Sequence, residues 1–135
     1  MYKNIYINEK YQKPIENIEN ENIVIETICQ NTFNKFINED NTNTKEYVLN
    51  TIIGNYFFVP NDTRISEGRY IRYLDMKKPL QIKFRLGGFV VADNGYSISF
   101  RCNNNSFYKV SKTNNIFFCK FNKTDLINDL IQKLE

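Results

Sequence analysis

The sequence predicts an α+β domain: a small antiparallel β-barrel of about six strands, with N-terminal helices and a C-terminal helix. Three observations predict it. Residues 80–86 (LQIKFRL) and 96–102 (YSISFRC) alternate apolar and polar side chains without a break, the period of a half-buried strand. Turn residues cut the stretch 55–121 into short segments of that kind. On both sides of it, apolar residues recur at the spacing of a helix. Six antiparallel strands must protect their edges, and closure into a barrel does so.

Residues 1–8 read as a short strand, with Ile5 and Ile7 on one face, and 9–22 as a polar wrap over the surface. Ile25, Ile28, Cys29, Phe33, Phe36 and Ile37 then predict a helix from about 22 to 38. Residues 39–43 read as a loop. Asn43 and Glu46 form a capping-box pattern for a second helix, with Val48, Leu49, Ile52 and Ile53 as its apolar side and Gly54 at its end. Strands follow at 56–59, 69–74, 80–92, 96–102, 107–111 and 116–121. The turns between them carry Pro60-Asn61-Asp62, Ser66-Glu67-Gly68, Lys77-Lys78-Pro79, Asn94-Gly95, Asn103-Asn104-Asn105 and Lys112-Thr113-Asn114-Asn115. Gly87-Gly88 marks a bend in the longest strand. Leu80, Ile82, Phe84 and Leu86 are expected inside, with Gln81, Lys83 and Arg85 outside. Thr124 is expected to cap a last helix whose Leu126, Ile127, Leu130, Ile131 and Leu134 would cover the barrel.

The 135 residues make one domain: a mostly helical N-terminal segment (residues 1–54), the barrel (55–121) and the C-terminal helix (122–135). Apolar residues are 41% of the chain and aromatics 15%, enough for a packed core. No apolar run approaches a membrane span, and the N-terminus lacks the apolar stretch of a signal peptide. Cys29, Cys102 and Cys119 are odd in number and far apart, which favours a reduced, intracellular location and buried thiols. The chain has no histidine, no cysteine pair at zinc spacing and no phosphate-binding glycine loop. No catalytic residue, metal or cofactor is therefore expected, and no membrane partner.

Charge is distributed unevenly. Residues 1–60 hold five cations against eight acids, whereas 64–121 hold eleven cations against three. A basic strand region points to partners. The segment 116–121 is apolar on both faces, so it is either buried on both sides or belongs to an exposed aromatic patch.

Glu67-Gly68-Arg69-Tyr70-Ile71-Arg72-Tyr73, the bent Gly87-Gly88-Phe89-Val90 strand and the Asn-Gly hairpin resemble the SH3-like small barrels, including KOW and Tudor types, over residues 55–121. The Asn-, Ile- and Lys-rich style resembles small proteins of AT-rich giant DNA viruses, which would place the chain in host cytoplasm or virion. The first functional expectation is a non-catalytic nucleic-acid-binding module. Its phosphate contacts would come from Arg69, Arg72, Lys83, Arg85, Arg101, Lys109 and Lys120, and its stacking from Phe107 and Phe118. The alternative is a protein-interaction or virion structural module, whose aromatics form an interface core.

Overall fold

The computed structural model describes residues 11–12, 15, 17–35, 39–78 and 81–135. The strand expected at 1–8, and Phe36, Ile37, Pro79 and Leu80, lie outside them. Helix α1 (Ile18–Asn34) starts earlier than its apolar spacing suggests, because the Asn17 side chain accepts the Asn20 N–H at 3.1 Å and Glu19 and Glu21 favour its positive first turn. Helix α2 (Glu39–Ile52) corrects the loop expected at 39–43. Asn41 lies on the helix and turns its Oδ1 to the Ile82 N–H of the sheet, 3.1 Å away, so a polar residue serves the interior there.

Six strands follow: β1 (Tyr56–Val59), β2 (Tyr70–Lys78), β3 (Gln81–Asp93), β4 (Ser97–Arg101), β5 (Phe107–Ser111) and β6 (Asn115–Lys120). They form one antiparallel sheet in the order β1-β6-β2-β3-β4-β5. The sheet is not closed, which departs from the expected barrel: β1 and β5 are its edges and do not pair. It nevertheless curls. Flat, its edge strands would stand roughly 24 Å apart at the usual strand spacing. Instead Asn61, two residues past β1, donates from its side-chain Nδ2 to the carbonyl of Lys112, one residue past β5, at 2.9 Å. Phe57, Val59 and Val110 belong to one buried cluster with Ile71, Tyr73, Val90, Ile98, Phe100 and Phe117. Tyr73 bridges the curl, with its ring 6.0 Å from Phe100 and 5.4 Å from Phe117.

Gly87 and Gly88 make that curl possible. Gly87 is the extra residue of a bulge, since Leu86 pairs with Arg72 and Gly88 with Ile71. A Cβ on Gly87 would lie 2.1 Å from the Ile71 carbonyl oxygen, and one on Gly88 2.2 Å from that of Arg101. Asn94-Gly95 does turn the β3–β4 hairpin, through a three-residue loop in which only Gly95 has positive φ. The Asn94 carboxamide accepts the N–H groups of Tyr96 and Ser97. A buried ion pair ties the β1–β2 loop to this end. Lys112 Nζ lies 2.9 Å from Asp93 and donates to the Thr63 carbonyl, while Asp93 accepts the Ile65 N–H. Lys112 is thus an interior cation and does not contribute to a basic surface.

The second face of the sheet carries α1 and α2. Ile25, Cys29 and Phe33 of α1, with Val48 and Ile52 of α2, pack on Tyr56, Leu74, Ile82 and Phe118. This settles the two-sided apolar strand: β6 is buried on both faces, Phe117 and Cys119 inside the curl and Phe118 under the helices. Full burial of Phe118 stabilises by about 2–3 kcal/mol.

Helix α3 (Lys123–Leu134) overturns two expectations. Its cap is Asn122, not Thr124, in a box closed with Asp125. Its apolar side does not cover the sheet; Asp125 and Asp129 are the residues it buries. Asp125 accepts the Ile15 N–H at 3.0 Å and pairs with Arg69 at 2.7 Å, and Asp129 accepts the Ile18 N–H at 2.9 Å.

Candidate nucleic-acid interface

Side chains alternate across the strands, so the cross-strand register assigns each to a face. Tyr70 and Phe84 lie on the helix face with Leu74 and Phe118. The helices cover that face over β1, β6, the Arg72 and Leu74 positions of β2 and the start of β3, and leave Tyr70 half-buried at their margin. Beyond the Gly87 bulge it is open. There Tyr70 pairs with Phe89, Phe89 with Arg101, and Arg101 with Phe107, a continuous row across β2, β3, β4 and β5.

The row has a defined geometry. The Tyr70 and Phe89 rings meet edge to face at 5.1 Å, and the Arg101 guanidinium sits 5.7 Å from the Phe89 ring centre. Asn105 Oδ1 holds Arg101 Nη1 at 3.1 Å, so the cation is steered and still exposed. Phe107 is 66% exposed and Phe89 41%. Lys109 follows Phe107 on the same face, opposite Ser99, and Leu86 lies open on that face on the near side of the bulge. Two strand spacings, about 10 Å, separate β3 from β5. Each exposed ring can therefore take its own planar partner, with a guanidinium between them. Aromatic planes interleaved with cations suit bases joined by phosphates.

The residues expected from the sequence divide sharply. Arg101, Phe107 and Lys109 come together on this open face, and Lys120 is exposed on the same face beside Tyr56. The remaining five lie elsewhere. Phe118 is fully buried and cannot stack on a ligand. Arg72 is buried with its guanidinium 3.8 Å from the Phe84 ring centre, and Arg69 is held by Asp125 and the Lys120 carbonyl. Lys83 and Arg85 point to the opposite face of β3, and Arg85 is 3.3 Å from Asp75. Tyr70 and Phe89 were missing from the expected set. The bulge that shifts the alternation between Leu86 and Phe89 placed Phe89 beside Tyr70; the Gly87-Gly88 pair was its signal.

Among the described residues no group of His, Cys, Asp and Glu side chains converges as a metal site requires, and no helix is long and apolar enough to cross a membrane. Burial pushes the Cys29 and Cys119 thiols up to about 11, so neither is a nucleophile at neutral pH. Cys102 is partly exposed, which departs from the buried thiol expected there. No family profile, curated protein or solved structure matches this chain.

Proposed function

We propose that the protein is a non-catalytic nucleic-acid-binding module that takes single strands on the open half of its sheet. The row Tyr70–Phe89–Arg101–Phe107 carries this reading, because Phe89 and Phe107 offer exposed stacking planes with a cationic phosphate partner between them and Tyr70 backs Phe89 from the helix side. A duplex hides its base faces, so unpaired strands are the better ligand, with little sequence preference.

The test is a salt titration of binding to single- and double-stranded oligonucleotides. Phe89→Ala with Phe107→Ala should weaken single-strand binding by about 1–3 kcal/mol per lost stacked base while leaving the salt slope unchanged. Arg101→Ala with Lys109→Ala should weaken it and flatten the slope by about 0.7 per lost phosphate contact. Lys83→Ala with Arg85→Ala, on the other face, should change little. Absence of binding at about 50 mM salt, where non-specific contacts are normally visible, would remove this reading. A second reading, a protein-interaction module, is favoured by one observation: the exposed apolar side of α3.

A further inference from the structure

Helix α3 presents Leu126, Ile127, Leu130, Ile131 and Leu134 to solvent, each between 47% and 79% exposed. At 3.6 residues per turn these five fall on one arc of the helix. The orientation is specified: Asp125 and Asp129, on the other side, are fixed by the Ile15 and Ile18 N–H groups and by Arg69. The helix cannot roll its leucines inward without leaving Arg69 and two backbone donors unpaired.

We propose that this strip is the contact between two copies of the chain, paired as antiparallel α3 helices about a two-fold axis at Leu130. That register sets Leu126 against Leu134 of the other copy and Leu130 against itself, which is the self-complementarity an isologous contact needs. Charge agrees. Lys123 lies on the arc at the start of the strip and Glu135 follows its end. Antiparallel pairing brings each Lys123 within reach of the opposite Glu135, and opposes the helix dipoles favourably. The rim does not suit an anionic membrane, since Lys133 is already paired with Asp129 at 3.0 Å and the other border holds Thr124 and Glu135. Twelve residues span about 18 Å, so the contact is small and association belongs in the weak, micromolar class. The strip is separate from the aromatic row, and a dimer would carry two such rows.

Sedimentation equilibrium from about 1 μM to 1 mM tests the pairing. The mass should rise from 16.1 kDa towards twice that value. Leu130→Glu and Leu130→Lys should each stay monomeric, because like charges meet at the axis. An equimolar mixture of the two should associate again, a result that damage to the fold would not give. A wild type that remains monomeric throughout, single variants that associate as the wild type does, or a monomer that instead adsorbs to vesicles containing anionic lipid would each overturn the proposal.

Discussion

Helices α1 and α3 carry the same kind of amphipathic pattern and use it in opposite ways. In α1, Ile25, Cys29 and Phe33 are buried against the sheet while Glu19 and Glu26 face water. In α3 the leucines face water and two aspartates are buried. An apolar stripe drives docking only in proportion to the area it removes from water. A few short, charge-assisted hydrogen bonds to otherwise unpaired groups can set the opposite orientation. Asp125 supplies three at once, to Ile15 N–H, Asn122 N–H and Arg69.

Four substitutions and one change of condition bear on that contrast, and the largest effect belongs to α1. Ile25→Ala should cost about 2–5 kcal/mol in urea unfolding, as removal of a fully buried side chain does. If it costs under 1 kcal/mol, the helix is not docked through that face. Next is Asp125→Ala, which leaves Arg69 without its carboxylate and the Ile15 N–H without an acceptor. About 3 kcal/mol should be lost, and amide exchange should accelerate in α3 before α1.

Acid should separate the helices further. The Ile18 N–H, then Lys133, hold the Asp129 carboxyl below its ordinary value. A lowered carboxyl stabilises the fold above the unfolded pKa and loses that contribution as pH falls through the folded one. Below about pH 4, α3 should therefore loosen first, as amide chemical shifts would record. Glu21 acts in the other sense. Partial burial, and then the Asp125 charge, raise its pKa, so its contribution is present at low pH and is lost as pH rises through the raised value. Glu21→Gln should accordingly raise the melting temperature slightly at pH 7 and leave it unchanged at pH 3. The smallest effect is expected for Leu130→Ala: within about 0.5 kcal/mol, as for an exposed position, when unfolding is followed at low protein concentration. A loss of several kcal/mol there would mean that the α3 leucines pack within their own chain.

Much of the strand map was legible from local chemistry. β1 and β5 stand where alternation and turns place them, and Asn94-Gly95 turns a hairpin because glycine tolerates positive φ. Gly87-Gly88 bends β3 because no Cβ fits beside the Ile71 and Arg101 carbonyls. Two of the three described residues of the alternating set in β3 hold as well: Ile82 is buried and Phe84 half-buried under α2, but Leu86, in the same phase, stands 70% exposed where the helices end. Alternation assigns a residue to a face and does not say how far along the strand that face is covered.

The same limit explains the candidate site and the helix ends. Phe107 and Lys109 share a face by strand period, and the short turn between β4 and β5 sets Arg101 opposite Phe107, so their grouping is written in the local sequence. Whether Phe118 or Phe107 meets water depends on where α1 and α2 come to rest, and that is a contact between segments far apart in the chain. Closure of the sheet depends likewise on whether edges β1 and β5 meet, although each reads as an ordinary strand. Asn41 serves Ile82, and Asp125 serves Ile15 from 110 residues away. Periodicity shows that a helix has two unlike sides. Which one is buried depends on the donors and cations that the rest of the fold brings to it, and those become neighbours only after the chain has folded.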